Sequence, residues 1–171
     1  MDVMVDLETL GNNSSSVILS IGAVEFDART GQLGRQFYRV VDPASCEAFG
    51  LKMDVSTVLW WLQQGGEARE VFRETAKIPL TMALAEFSMW YPEKACLWGN
   101  GASFDNVILA NAYAACGQKA PWMFWDDRCY RTLKNLLPEV EHERKGVHHN
   151  ALDDAIYQAE HAIKLLQVLG N

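Results

Sequence analysis

The sequence predicts an α/β domain, with a mixed sheet of a three-strand antiparallel meander plus parallel strands, flanked by α-helices. Three observations point there. The chain has 171 residues, 49% of them hydrophobic; this suits one domain over 1–171 that buries roughly two thirds of its unfolded surface. Its first 41 residues hold three β-patterned segments joined by short turns. Beyond residue 43, apolar spacings of three and four take over and alternate with short apolar runs. Strands first and βα units afterwards favour a mixed sheet covered by helices.

Met1 to Leu7 is rich in Val and Met and reads as the first strand, closed by the polar loop Gly11 to Ser16. Val17 to Asp27 (VILSIGAVEFD) is β-branched and then alternating, and Thr30-Gly31 marks a turn. Gln36 to Val41 resumes strand character and stops at Asp42-Pro43. Asp54 or Ser56 can cap a helix carrying Val58, Leu59, Trp61 and Leu62. Pro79 suits the first turn of a second helix with Leu80, Ala83, Leu84, Phe87 and Trp90 on one face, ended by Pro92. Ala95 to Trp98 is a short buried-strand candidate. Ser103 can cap a helix containing Val107, Ile108, Ala112 and Ala115, with Gly117 as its stop. Trp122 to Trp125 is another short apolar run, followed by a helix from about Arg128 to Leu137. The last helix, from near Asn150 to Leu169, carries the clearest stripe: Leu152, Ala155, Ile156, Ala159, Ile163 and Leu166.

Composition narrows function. Acidic residues number 22 and basic ones 15, a formal net charge of -7, which argues against a broad electrostatic grip on nucleic acid. Cys46, Cys96, Cys116 and Cys129 form no CxxC pair and read as free thiols of an intracellular protein. No apolar run approaches the ~20 residues of a membrane span. The start, MDVMVDLET, lacks a basic region and an apolar signal core, so a cytoplasmic location is expected.

Three short stretches carry chemistry. Asp6-Leu7-Glu8-Thr9 ends the first strand, and its two acids share a face because strand side chains repeat every two residues. A D-x-E triplet alone is a weak signal, since a strand end running into solvent explains it. Trp98 to Asn106 (WGNGASFDN) joins a strand end and a glycine-rich turn to an acid, Asp105, in a first helical turn, where the helix dipole alone would favour it. His148-His149-Asn150-Ala151-Leu152-Asp153-Asp154 opens the last helix. Either Asp153 or Asp154 is close enough in sequence to meet an imidazole from the loop.

Taken together, Asp-x-Glu, a mid-chain Asp and His-x4-Asp on the final helix resemble the DEDDh 3'-5' exonucleases of the RNase H-like (DnaQ-like) superfamily. The resemblance runs through the whole chain in motif order and element order, and IGAVEFD at 21–27 resembles that family's second strand. Within the superfamily the sequence is most similar to the small RNase AS-type exoribonucleases of bacteria and phages, through Trp60-Trp61, NGASFDN and HNALDDA. The resemblance implies metal-binding carboxylates at Asp6, Glu8, Asp105 and Asp154, with His149 as general base; the His-x4-Asp pattern selects Asp154 over Asp153. It also implies release of nucleoside 5'-monophosphates from a free 3' end of single-stranded RNA or DNA, and a homodimer.

Four carboxylates do not share a pocket in ionised form unless cations lie among them. Oxygen ligands suit two Mg2+ or Mn2+ ions rather than Zn2+, about 4 Å apart on an in-line phosphodiester displacement. Thr9 and Leu10 are expected against the 3'-terminal nucleotide, as the resemblance implies. Trp61 is the candidate to stack on a base, although one of Trp60 and Trp61 must belong to the core. Asn100 and Ser103 are candidates for sugar or phosphate contact, Ser103 competing with its capping role. Arg128, Arg131, Lys134, Arg144 and Lys145 make a basic segment interrupted by Glu139, Glu141 and Glu143, either a solvated face or a short phosphate track. An exodeoxyribonuclease of the same chemistry and a catalytically silent binding module are the competing readings.

Overall fold

The structure, a computed structural model, describes residues 1–170, so Asn171 lies outside the described residues. Strands β1 (Asp2–Thr9), β2 (Ile18–Asp27) and β3 (Gln32–Val40) form the antiparallel meander. β4 (Leu97–Gly99) joins β1 in parallel, and β5 (Asp127–Cys129) joins β4 in parallel, giving the order β3-β2-β1-β4-β5. β1 is therefore the middle strand. Its residues Val3, Met4 and Val5 are fully buried, as a strand covered on both faces requires.

Helices α1 (Pro43–Glu47), α2 (Val55–Leu62), α3 (Glu70–Arg73), α4 (Leu80–Trp90) and α5 (Asp105–Ala115) pack on one face of the sheet. That layer buries Val3, Val5, Leu7, Ile21 and Ala23 with Trp61, Leu84, Phe87 and Ile108. Helices α6 (Tyr130–Leu136) and α7 (Ala151–Leu169) cover the other face, where Met4, Val24, Phe26 and Trp98 meet Ala155, Ala159, Ala162 and Leu165. Alanines at the α7 contact let that helix lie close to the strands. No helix among the described residues is long and apolar enough to cross a membrane. The four cysteines are free.

Two expectations need correction. The apolar run Trp122 to Trp125 is not a strand: Phe124–Asp126 is a 3-10 turn with Phe124 and Trp125 exposed, and β5 follows it. β5 has the polar sequence DRC, and its order comes from partners rather than pattern: β4 on one side, and Asp127 Oδ1 accepting from Asn106 Nδ2 (2.8 Å) and Trp122 Nε1 (3.1 Å). Ser103 does not cap α5, whose N-cap position is Phe104. The short helices α1 and α3, five and four residues long, carry too few turns to show a period.

Candidate active site

The alternation of β1 sends Asp6 and Glu8 to the same face as Met4, towards α7, while Val3, Val5 and Leu7 enter the opposite core. Two close backbone approaches bring the other acids to them. Asp6 pairs with Gly22 of β2, and a Cβ at Gly22 would lie 2.1 Å from the Ala151 carbonyl carbon and 2.3 Å from its oxygen. The first turn of α7 therefore rests directly on β2, which delivers Asp154 to Glu8. A Cβ on Gly99 would meet Asn106 Oδ1 at 2.4 Å and Asp105 Cβ at 3.0 Å, so Asp105 likewise lies against the end of β4. Asp105 Oδ1 accepts the Leu7 backbone N–H at 3.2 Å.

Asn150 caps α7, its Oδ1 accepting from the Leu152 and Asp153 amides at 3.1 and 3.2 Å. The two neighbouring acids then diverge. Asp153 Oδ2 accepts from the Val147 N–H at 2.8 Å and ties down the preceding loop, whereas Asp154 lines a cleft of about 500 Å3 together with Asp6, Glu8, Asp105 and His149. Asp154, not Asp153, joins the other acids.

The electrostatics follow from burial. Desolvation first, then the charges of Asp105, Glu8 and Asp154, hold the Asp6 carboxyl well above its ordinary range, against a 2.7 Å hydrogen bond from Gln158 Nε2. Glu8 is pushed up to about 8 by burial and by Asp154 and Asp105, with Arg144 opposing. Burial raises Asp105 to about 7, opposed by backbone N–H donors and Arg131. Oxygen donors that repel one another when ionised suit a hard divalent cation. One ligand atom each from Glu8, His149 and Asp154 lie within 4.8 Å of one another. Arg144 is the chain's own cation on this cluster, paired with Asp154 Oδ1.

His149 has a φ of +63°, in the left-handed region that a non-glycine residue enters at a cost. Its N–H donates to Asp154 Oδ2 at 3.0 Å. The ring stands edge-on to Trp60 with centroids 4.9 Å apart, and His148 lies 4.6 Å away on another side. Desolvation, then the neighbouring His148, lowers its pKa, so the imidazole is neutral near pH 7 and able to accept a proton.

The expected substrate contacts divide. Thr9 and Asn100 line the cleft. Leu10 does not: it is in the core, 6% exposed. Trp61 also lines the cleft, but it is 2% exposed and its indole N–H donates to the Thr9 carbonyl at 2.9 Å, which leaves little of its ring for a base. Trp60 is the exposed member of the pair, at 40%, and stands in the cleft wall. Ser103 is exposed but outside the cleft lining. Of the basic segment, Arg131, Lys134 and Arg144 line the cleft, and Arg128 turns to the Trp125 and Asp127 carbonyls. Gln158 was not foreseen, although its position four residues after Asp154 on one helix face was a readable signal.

A sheet that presents two acids on its middle strand, with two more from helix starts and a histidine beside the last, brings all five residues of the DEDDh pattern into one cleft. The chain belongs to the Rv2179c-like 3'-5' exoribonuclease domain family, whose family model matches residues 1–166. Among curated proteins no match is found. Among solved structures the fold is similar to exonuclease X in complex with 5' overhanging duplex DNA (16% identity, TM-score 0.64, covering 100% of this chain and 94% of that one). It is also similar to the nuclease domain of 3'hExo, a DEDDh family member bound to rAMP (17%, 0.64, 97% and 91%). E. coli exonuclease I in complex with a dA16 oligonucleotide matches at 17% identity and a TM-score of 0.66; 98% of this chain spans 41% of that larger protein.

Proposed function

We propose that this chain is a cytoplasmic 3'-5' exoribonuclease that removes nucleoside 5'-monophosphates from single-stranded RNA or short oligonucleotides. The observation that carries the reading is the convergence of Asp6, Glu8, Asp105 and Asp154 with a neutral, partly buried His149 in one cleft. The four carboxylates would hold two Mg2+ or Mn2+ ions, which when bound supply charge stabilisation and orientation to the displacement at phosphorus. His149 accepts a proton from the attacking water as the water oxygen bonds to phosphorus and the P–O3' bond breaks, the 3' oxygen of the shortened strand taking a proton from solvent. Its strained backbone and the edge contact with Trp60 fix the direction of the ring. Gln158 orients Asp6 through its 2.7 Å hydrogen bond, and Trp60 offers the aromatic face for the terminal base. The family description supports RNA. A deoxyribonuclease of the same chemistry is the second reading, because exonuclease X and exonuclease I are seen with DNA. A homodimer belongs to the proposal through the resemblance and is measured by light scattering.

The test is a panel of matched 3'-tailed RNA and DNA oligonucleotides with Mg2+ or Mn2+, and with products identified. RNA is expected to shorten from its 3' end to mononucleotides faster than DNA. Asp154→Asn and His149→Ala are expected to lose at least a hundredfold in rate; wild-type rates in both would overturn the site assignment.

A further inference from the structure

Arg144 lies in the loop between α6 and α7 and forms an ion pair with one of the cleft acids. Its guanidinium pairs with Asp154 Oδ1 and lies over the Tyr157 ring, 5.1 Å from the centroid. The side chain is only 25% exposed. Its Nε is buried and has no hydrogen-bond partner among the described residues, so the guanidinium has unused donor capacity. The second oxygen of Asp154 accepts the His149 N–H. Both oxygens of Asp154 are thus engaged by the protein itself, at the place where Glu8, His149 and Asp154 converge within 4.8 Å.

Resting on the exonuclease reading above, we propose that Arg144 is a substrate-phosphate-binding residue held on Asp154 in the metal-free protein and released to the substrate once a divalent cation takes that carboxylate. Three physical points support it. The guanidinium and a divalent ion need the same Asp154 oxygen, and the ion brings twice the charge. Arg144 need not leave the cleft when it lets go, because Tyr157 holds it by its face and Tyr157 lines the same cleft. A planar fork with free donors suits two oxygens of a phosphate, which a lysine point charge matches less well. Arg131 and Lys134 line the same cleft, so the released cation adds to positive charge already there. One side chain then couples metal loading to substrate capture: without the ion, the phosphate binder is occupied.

The experiment uses the full chain, stripped of metal, and the variants R144Q and R144K. Mn2+ is titrated calorimetrically without nucleic acid, and binding of a 3'-tailed oligonucleotide is followed against salt with Mn2+ saturating. R144Q is expected to bind Mn2+ about tenfold more tightly because its competitor is gone. It is expected to bind the oligonucleotide about tenfold more weakly, with a raised KM, a smaller change in kcat, and a salt slope reduced by about one. R144K, which keeps the charge and loses the fork, is expected between the two in Mn2+ affinity and to recover the salt slope but not the full KM. A merely structural ion pair predicts the opposite: unchanged or weaker Mn2+ binding and an unchanged slope, and either result in a folded variant overturns the proposal. If R144Q does not fold, R144K decides alone, wild-type Mn2+ affinity and KM overturning it. A wild-type chain with no metal-dependent 3' trimming would instead overturn the exonuclease reading.

Discussion

Replacing Glu8 by Gln is expected to inactivate the protein and, in the absence of metal, to make it more stable. Glu8 is 7% exposed, and burial with the charges of Asp154 and Asp105 raises it from 4.5 to about 8. Between those two values the folded protein keeps a proton that the unfolded chain has released. The stabilising contribution of the protonated form is therefore complete below pH 4.5 and is lost as pH rises through 8. At pH 7 most of that interval has been crossed, a loss of roughly 3 kcal/mol at 1.36 kcal/mol per pH unit. Gln is a neutral isostere of the protonated acid and does not suffer it. In a chelator, E8Q should melt about 6–12 °C above wild type at pH 7, taking 2–4 °C per kcal/mol for a chain of this size. The difference should close near pH 4.5. Saturating Mg2+ or Mn2+ should raise wild type far more than E8Q, because the variant has lost a ligand. The assay is differential scanning calorimetry across pH 4.5–8, with and without metal. A wild-type melting temperature in chelator that is flat with pH, together with an E8Q variant less stable at pH 7, would refute the reading of the cleft as four mutually repelling acids.

Gly22→Ala places a methyl group 2.1–2.3 Å from the Ala151 backbone; it should cost ~1–3 kcal/mol in urea unfolding and weaken metal binding, because α7 must lift and carry Asp154 with it. Wild-type metal affinity in G22A would show that the approach of α7 does not set the site. Trp61→Ala should lose ~3–5 kcal/mol of stability as a core truncation. Trp60→Ala should change stability little and raise KM by the ~1–3 kcal/mol of a lost stacking contact; an unchanged KM would remove Trp60 from the substrate path.

What the sequence made legible is what local periodicity and charge burial determine. The meander, α4 and α7 follow from patterns of two, three and four, and α7 runs Ala151–Leu169 with Asn150 as its cap. Asp6 and Glu8 were readable as a pair on one strand face, and Asp105 and Asp154 as acids in first helical turns. The Trp60-Trp61 choice was not readable. Adjacent helical positions differ by about 100°, and here both sides of α2 are apolar, with Val55, Leu59 and Leu62 exposed. Only the tertiary partner, the Thr9 carbonyl, makes Trp61 the buried one. β5 was hidden for a related reason, since its ladder and Asn106 hold a polar tripeptide that no pattern marks. Arg144 sits in a loop, where spacing says nothing about direction, and its ion pair spans ten residues.

The net charge of -7 looked unfavourable for a nucleic-acid enzyme, and the cleft shows why it is not. Two divalent ions would offset four of those seven negative charges, and the acids that would hold them all line one cleft. Three cations, Arg131, Lys134 and Arg144, line that same cleft. Attraction screened within about 10 Å then acts on the phosphates nearest the 3' end and on few others. The net charge of -7 disfavours long duplex nucleic acid, which needs a continuous basic face. The acidic balance limits how many nucleotides are held at once. It leaves the proposed chemistry at the 3' end untouched, because there the positive charge would come with the metal.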